Sequence, residues 1–426
     1  MKVFLIAILI IHTIILNITS QSITETSVVL DMEETGDYRQ ALEIAKNNLE
    51  KDSLNVKLWY EMGRLLRLNQ QYKLAINVYQ KARQLDPTNP FALLYLAKTN
   101  KLAGNRDLAI KTYKEFLLIQ PFNTLALVDL SSLYSSIDQY DSAAIYAQRL
   151  YNTDVLNVDY LQKLASYQWF SKKKGEAFLN YKKAFKMDST YLPVVFDLAR
   201  IYINLRQQDS AIAILKGNLT VHPQEARLYN DIGTAYFSKG DYYMAIDYYE
   251  KAIGLNYSSL ETYRRLGISY YSCSRFELAE KMLNKLIQDD TTDYKICIYL
   301  GKIHKFNTNY DKAILFYNIA RNLITPDSIM LTAIYMGLSE CYGEKKEFIK
   351  QIEAIQLLHL NTPVSYQSSD YLKSIAEIYE NDIKDTKKAL SYYQEYYDSI
   401  KNLKWYEKEK KDEVLLKINK LKAIKN

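Results

Sequence analysis

The stretch GTAYFSKGDYYMAIDYYEKAIGLN, which runs from Gly233 to Asn256, decides the fold because its residue types recur at a fixed interval. Ala245 has a counterpart every 34 positions in both directions. These register alanines are Ala75, Ala109, Ala143, Ala177, Ala211, Ala245, Ala279 and Ala313. A repeat of this length predicts stacked supersecondary units, each of which buries its apolar face against its neighbours.

Two further positions keep the same register as the alanines. A small residue precedes each alanine by twelve positions: Gly63, Ala97, Ser131, Ala165, Ala199, Gly233, Gly267 and Gly301. Four positions after each alanine the residue is mostly large: Tyr79, Tyr113, Ala147, Tyr181, Leu215, Tyr249, Leu283 and Tyr317. The pattern holds from Val56 to Pro326 without insertion or deletion.

The spacing of apolar residues within one repeat predicts two helices. Tyr229, Ile232 and Tyr236 form one helical stripe, and Ala245 and Tyr249 lie on a second. We expect the two helices to pack as an antiparallel hairpin in which small residues admit large rings. The turn Ser238-Lys239-Gly240-Asp241 offers a glycine to end the first helix and an aspartate to begin the second.

The repeat resembles the tetratricopeptide repeat. The best match is WYEMGRLLRLNQQYKLAINVYQKARQLDP at 59–87, with the diagnostic residues Trp59, Met62, Gly63, Ala75, Tyr79, Ala82 and Pro87. The resemblance implies an all-α, right-handed superhelical solenoid of about ten or eleven helical hairpins. It covers Val56 to about Pro326 strongly and the rest of the chain more weakly.

The repeat pattern divides the chain into five segments. We predict a signal peptide or anchor at 1–22, a partial first repeat at 23–55 and eight in-register repeats at 56–327. Two divergent repeats follow at 328–400, and a basic capping helix occupies 401–426. For the last segment, contact with an acidic partner or an anionic membrane surface is the alternative to capping.

The first 22 residues have the order of a secretory signal. A single Lys precedes a long apolar run, and Ser20-Gln21-Ser22 offers a small-residue cleavage site. We therefore predict an exported protein of bacterial type, periplasmic or secreted. The alternative is an uncleaved anchor, formed by residues 3–18, in the inner membrane.

Composition argues against nucleic-acid binding and against catalysis. The net charge is +6, and residues 401–426 hold nine Lys and four acids, so the basic excess is confined to a tail rather than a face. The three cysteines have no CxxC spacing, the four histidines are scattered, and the familiar catalytic and nucleotide-binding motifs are missing from the sequence. We predict no enzyme activity, no cofactor and no metal.

The resemblance also implies a concave groove, lined by the first helix of each repeat, in which a partner peptide or helix lies. The matching positions are basic in the first two full repeats and aromatic further on. The predicted groove residues are Lys57, Arg64, Arg67, Lys98, Lys101, Trp169, Phe170, Phe196, Phe237 and Tyr271. The alternative is that these are ordinary surface charges, with rings that pack between repeats.

These observations predict a non-catalytic protein–protein interaction scaffold of the cell envelope. Its partner would be a protein or peptide, and the basic end of the groove would suit an acidic one. Tetratricopeptide proteins that clamp a carboxylate use Lys, Asn and Arg at set positions, but Asn204 and Asn230 lie away from the basic cluster. The alternative function is a sensory or regulatory subunit anchored by its N-terminus. The sequence does not fix an oligomeric state.

Overall fold

The computed structural model describes residues 38–289, 293–324, 328–362, 366–402 and 408–425, and the regular elements in these residues are helices without a strand. The predicted signal peptide at 1–22, the alternative anchor at 3–18 and the start of the partial repeat, to residue 37, lie outside them. The helices are α1 (Tyr38–Lys51), α2 (Val56–Leu68), α3 (Tyr72–Leu85), α4 (Pro90–Leu102), α5 (Arg106–Ile119), α6 (Thr124–Ser135), α7 (Tyr140–Tyr151), α8 (Val158–Phe170), α9 (Lys174–Met187), α10 (Leu192–Asn204), α11 (Gln208–Leu219), α12 (Ala226–Lys239), α13 (Tyr242–Gly254), α14 (Leu260–Ser272), α15 (Phe276–Asp289), α16 (Tyr294–Phe306), α17 (Tyr310–Leu323), α18 (Ser328–Glu344), α19 (Phe348–Asn361), α20 (Tyr366–Ile378), α21 (Thr386–Ile400) and α22 (Lys408–Lys425).

The chain divides into two compact units, one ending at Leu198 and the other beginning at Ala199. The even-numbered helices are called A helices below and the odd-numbered helices B helices. Apart from α10, which contains the boundary between the units, each A helix from α2 to α20 packs against the B helix that follows it, and each B helix packs against the next A helix. The hairpins of each unit therefore stack in sequence order. The predicted all-α fold class, a solenoid of helical hairpins, is confirmed.

The register alanines form the centre of the hairpins. All eight, from Ala75 to Ala313, are fully buried in the B helices. Side chains of this size let the A and B backbones approach closely, which is the role that the repeat pattern predicts for them. The prediction is confirmed.

Small residues on the A helices leave room for rings on the B helices. A Cβ atom added to Gly63 would lie 2.5 Å from Cε1 of Tyr79, and one added to Gly233 would lie 2.9 Å from the Tyr249 ring. Both tyrosines are completely buried. The predicted interlocking of small and large residues is therefore confirmed, and it leaves no space for a methyl group at these two glycines.

The turn inside each hairpin passes through the left-handed region of the backbone. In the turn after α12, Gly240 has φ of 85°, and the Asp241 carboxylate accepts a hydrogen bond from the Met244 amide at 3.2 Å. Ten such turns place one residue at positive φ, and only two of these residues are glycines: Gln70, Gly104, Asp138, Lys172, Arg206, Gly240, Ser274, Thr308, Lys346 and Lys384.

The last helix, α22, covers the end of the final hairpin. Val414, Ile418 and Leu421 are buried against the core of α20 and α21. On another side of the helix, Lys417 Nζ lies 2.8 Å from Glu380 Oε1. A repeat array must shield its terminal apolar face from water, and this burial supports a capping role for α22, which stays a prediction.

Candidate peptide-binding surface

The ten predicted groove residues all lie on A helices. In the first unit they belong to α2, α4, α8 and α10, and in the second to α12 and α14. Those of the first unit are Lys57, Arg64, Arg67, Lys98, Lys101, Trp169, Phe170 and Phe196, and those of the second are Phe237 and Tyr271. Each unit therefore carries its own set of predicted groove residues.

The cations of α2 and α4 make the start of the first unit basic. Lys57 is exposed, and Arg64, Arg67 and Lys98 are half-buried. Lys57 and Lys98 form no ion pair with any residue that the structure describes. Their ammonium groups are thus open to an anionic partner.

Lys101 differs from these cations because it already has an acidic partner. Its Nζ lies 2.6 Å from Asp129 Oδ1 on α6, and the Tyr113 hydroxyl donates to Oδ2 of the same carboxylate at 2.6 Å. Burial, followed by the hydrogen bond to Asp129, raises the pKa of Tyr113 well above its ordinary value. The positive charge of Lys101 therefore stabilises the contact between neighbouring repeats.

The rings predicted for the first unit differ in exposure. Trp169 is half-buried with Lys174 Nζ 5.4 Å from its ring centroid, and Phe170 is half exposed and stacks on Tyr140 at 5.0 Å. Phe196, in contrast, is only 7% exposed. Trp169 and Phe170 can meet a partner, whereas Phe196 contributes to the core.

The two rings predicted for the second unit contact other rings. Phe237 meets the edge of Tyr242 at 5.7 Å, and Tyr271 meets Phe276 at 5.6 Å and Tyr299 at 5.1 Å. Both are half-buried, and burial raises the pKa of Tyr271. The Tyr271–Tyr299 contact joins neighbouring repeats, as the alternative reading of the sequence expects, whereas the other two contacts lie within single hairpins.

Ion pairs between adjacent A helices were missed by the sequence analysis. Besides the Lys101–Asp129 pair, Arg264 Nη2 lies 3.0 Å from Asp293 Oδ2, and Lys305 forms an ion pair with Glu340. Each of these cations lies on the A helix of the repeat that precedes the acid. The partners are 28 to 35 positions apart. An acid placed about one repeat after a cation is a signal that could have revealed them.

Other kinds of site are not evident in the described part of the chain. No cluster of His, Cys, Asp and Glu there has the arrangement of a metal site. Cys297 and Cys341 are buried thiols whose pKa is raised by burial. None of the helices described is both long enough and apolar enough to cross a bilayer.

Comparison with family models identifies the repeats. Models described as tetratricopeptide repeat match residues 91–121 and 226–256, and one described as TPR repeat matches 63–104. The chain therefore contains tetratricopeptide repeats. Proteins built from such repeats are generally non-catalytic and bind protein or peptide partners, and the fold is that of a protein–protein interaction scaffold.

Similar proteins match only parts of the chain. The BBSome complex member BBS4 of Bos taurus is 22% identical over 209 residues, 49% of this chain and 39% of that protein. Uncharacterized protein ycf37 of Cyanophora paradoxa is 33% identical over 100 residues, 23% of this chain and 58% of that protein. The chain thus spans about half the length of these relatives. Among solved structures, pilF of Pseudomonas aeruginosa is 17% identical with a TM-score of 0.43, over 47% of this chain and 91% of that one.

Proposed function

We propose that this protein is an exported, non-catalytic scaffold that binds an acidic peptide or helix of a partner protein along its A helices. The observation that carries the proposal is the cluster of cations on α2 and α4, where Lys57 and Lys98 form no ion pair within the described chain. Charge-assisted hydrogen bonds to carboxylates are strong enough to make such a cluster a binding surface.

The exposed rings support a mixed contact. Trp169 and Phe170 lie on α8 of the same unit and present apolar surface beside polar groups. Aromatic residues of this kind contribute much of the binding energy of protein interfaces, while cations select the partner and speed its approach. A partner with acidic residues near one end and apolar side chains further along would use both.

Affinity capture from the native envelope at low salt tests the proposal. The triple variant Lys57→Glu/Arg64→Glu/Lys98→Glu should lose a partner that the unaltered protein captures, and raised salt should weaken capture by the unaltered protein. A control variant, Lys111→Glu/Lys114→Glu, reverses two exposed lysines on the B helix α5 and should keep the partner. Equal loss in both variants would contradict binding by the A helices.

Export is tested separately by fractionation and by sequencing of the mature N-terminus. A mature chain that begins near Gln21 or Ile23 supports the free scaffold. Retention of the apolar run at 3–18 in the inner membrane would instead favour the anchored sensory or regulatory subunit.

A further inference from the structure

Large apolar side chains are exposed at the C-terminal ends of two neighbouring B helices of the first unit. Leu118, in the last turn of α5, is 85% exposed, and Phe122, in the loop after α5, is 76% exposed. Leu156, in the loop after α7, is 81% exposed. Ile119 and Val155 beside them are also exposed. These five residues are called the loop patch below.

The repeat pattern gives the three most exposed members of the loop patch no packing role. Phe122 and Leu156 occupy the same position in successive repeats, and Leu118 occupies another. None of the matching residues elsewhere in the in-register array is a large apolar one. They are Gln84, Asn152, Lys186, Thr220, Gly254, Gln288 and Asn322 for Leu118, and Thr88, Thr190, Gln224, Ser258, Thr292 and Pro326 for Phe122 and Leu156.

The two loops of the patch belong to one continuous surface. Arg149 Nη2, on α7, donates a hydrogen bond at 3.0 Å to the Pro121 carbonyl in the loop after α5. In the second loop the Asp154 carboxylate accepts a hydrogen bond from the Leu156 amide at 3.1 Å. Apolar side chains gathered on neighbouring loops mark an interaction surface, whereas those scattered singly do not.

The B helices of the first unit are basic. The helices α3, α5, α7 and α9 carry eleven Lys and Arg against four Asp and Glu, and all of these cations except Arg149 are exposed. The six B helices of the second unit, from α11 to α21, carry nine Lys and Arg against ten Asp and Glu. A charge balance near zero over the chain before its basic tail therefore conceals a basic side on the first unit.

Contacts between the B helices join this basic side to the loop patch. Arg83 of α3 lies 3.1 Å from Glu115 of α5, and Lys183 Nζ of α9 lies 5.3 Å from the ring centroid of Tyr151 on α7. Between them, α5 and α7 line a cleft of about 530 Å³ whose lining includes Leu118. The exposed cations and the exposed apolar side chains are thus parts of one surface.

We propose that this side of the first unit docks onto an anionic lipid membrane, with the loop patch inserted among the lipids. The inference goes beyond the proposed function, which uses the A helices. Each Lys or Arg close to an anionic membrane surface raises partitioning about five-fold. Apolar side chains that protrude from loops suit the fluid boundary of a bilayer, whereas the anchors of protein interfaces fill preformed pockets.

Cosedimentation with vesicles of phosphatidylcholine and phosphatidylglycerol tests the loop patch, and vesicles of phosphatidylcholine alone show the dependence on charge. The variant Leu118→Gln/Phe122→Thr/Leu156→Thr introduces residues found at these positions in other repeats and removes no charge. It should lower the partition coefficient at least about ten-fold and leave the thermal midpoint unchanged. Leu315→Gln/Leu360→Gln, at exposed sites on α17 and α19 of the second unit, is the matched control and should bind vesicles normally.

Charge reversal separates membrane docking from partner binding. Lys111→Glu/Lys114→Glu should lower vesicle binding about thirty-fold or more, because it removes two cations and adds two anions. The same variant should keep the protein partner, which the A helices bind. Lys57→Glu/Arg64→Glu/Lys98→Glu should show the converse, with the partner lost and vesicle binding changed far less. Failure of one proposal therefore leaves the other intact.

A fluorescent probe tests the orientation of the docked protein. An environment-sensitive dye attached to Leu156→Cys, in a Cys273→Ser background, should shift to the blue when anionic vesicles are added. The same dye on Leu360→Cys should not shift. This comparison holds whether or not the apolar run at 3–18 is retained, because both labelled proteins share it.

The inference is overturned if the loop-patch variant binds anionic vesicles as tightly as the unaltered protein does. It is also overturned if phosphatidylcholine vesicles bind equally well, or if the two dye positions respond alike. Loss of a protein partner or of a second copy of the chain in the loop-patch variant, without vesicle binding by the unaltered protein, would assign the patch to a protein interface instead.

Discussion

Tyr317 shows at the scale of one residue how closely the hairpins are packed. Its ring lies between two glycines, Gly301 on α16 and Gly337 on α18. A Cβ atom at Gly301 would lie 2.9 Å from the ring, and one at Gly337 would lie closer still. Only residues without a side chain leave room for the ring on both sides.

Gly337→Ala should therefore destabilise the protein, although alanine is the better helix former by about 1 kcal/mol. We expect a net loss of about 1–3 kcal/mol, typical of overpacked cores. Urea unfolding with matched m-values would measure it. Gly217→Ala is the control: nothing lies within 4 Å of the added carbon, so this variant should gain up to about 1 kcal/mol. Equal stability of the two variants would contradict the packing argument.

His304 provides a pH-dependent contribution to stability. The ring is 5% exposed and stacks on Phe316 with centroids 5.3 Å apart. Burial lowers the pKa of His304, and the nearby Glu280 carboxylate offsets part of this effect. The unfolded chain therefore binds a proton at a higher pH than the folded chain does. The contribution of neutral His304 to the free energy of unfolding is fully present above the pKa of the unfolded chain, about 6.5, and falls as the pH drops below that value.

His304→Tyr should flatten this decline, because Tyr202, Tyr236 and Tyr270 occupy the matching position in other repeats. Urea unfolding at pH 7.5 and pH 5.5 would compare the variant with the unaltered protein. His222→Gln, at a half-buried surface position, serves as the control and should keep the original pH dependence. An unchanged difference between the two pH values in His304→Tyr would count against the assignment.

At the scale of the element, the turn between A and B helices imposes its conformation on whichever residue occupies it. Thr308 has φ of 59° after α16, although left-handed backbone costs a residue with a side chain about 1–2 kcal/mol. Gly240, at the same place after α12, avoids this cost. The hydrogen bonds of the turn hold both: the Gly240 amide donates to the Phe237 carbonyl, and the Thr308 amide to that of Lys305, each at 3.0 Å.

Thr308→Gly should therefore stabilise the protein. The expected gain is about 0.5–1 kcal/mol, since relief of the strain exceeds the extra backbone entropy that glycine loses on folding. Thermal unfolding would measure it. The reverse change, Gly240→Thr, should lower stability by at least as much. Two shifts of the same sign would refute the argument.

At the scale of the whole molecule, contacts within each unit join helices of the same repeat or of adjacent repeats, and disturbances should stay equally local. Ala279 is fully buried in α15, which packs against α14 and α16. In Ala279→Asp, hydrogen exchange should accelerate in α13 to α16 and stay unchanged in α20 and α21 of the same unit, because stability in such arrays is a sum of local and nearest-neighbour terms. Mass-spectrometric exchange on native protein would show this. Uniform acceleration throughout the second unit would contradict it.

The sequence predicts the fold better than it predicts the candidate site. The register alanines, and the large side chains four positions after them, recur in the sequence because a closely packed core position tolerates few residue types. A periodic cap was nevertheless overlooked: Asn55, Asn89, Asn123 and Asn157 each accept a hydrogen bond from an amide at the start of an A helix. It was harder to predict which cations of the candidate site would remain without an acidic partner inside the protein. Lys98 and Lys101 look alike in the sequence, and only the folded chain brings Asp129 to one of them.

The left-handed turns also bear on how such arrays diverge. The turn between the A and B helices, called the corner of the hairpin here, keeps its left-handed conformation with Gln, Lys, Arg or Thr in place of glycine. A repeat can therefore lose the glycine that marks this turn in the sequence and still keep its fold. Gly104 and Gly240 are the two glycine corners in the described chain, and each segment matched by a family model contains one of them. The match at 63–104 also spans the turn at Gln70, so a hairpin without a glycine in its turn can still be recognised by sequence.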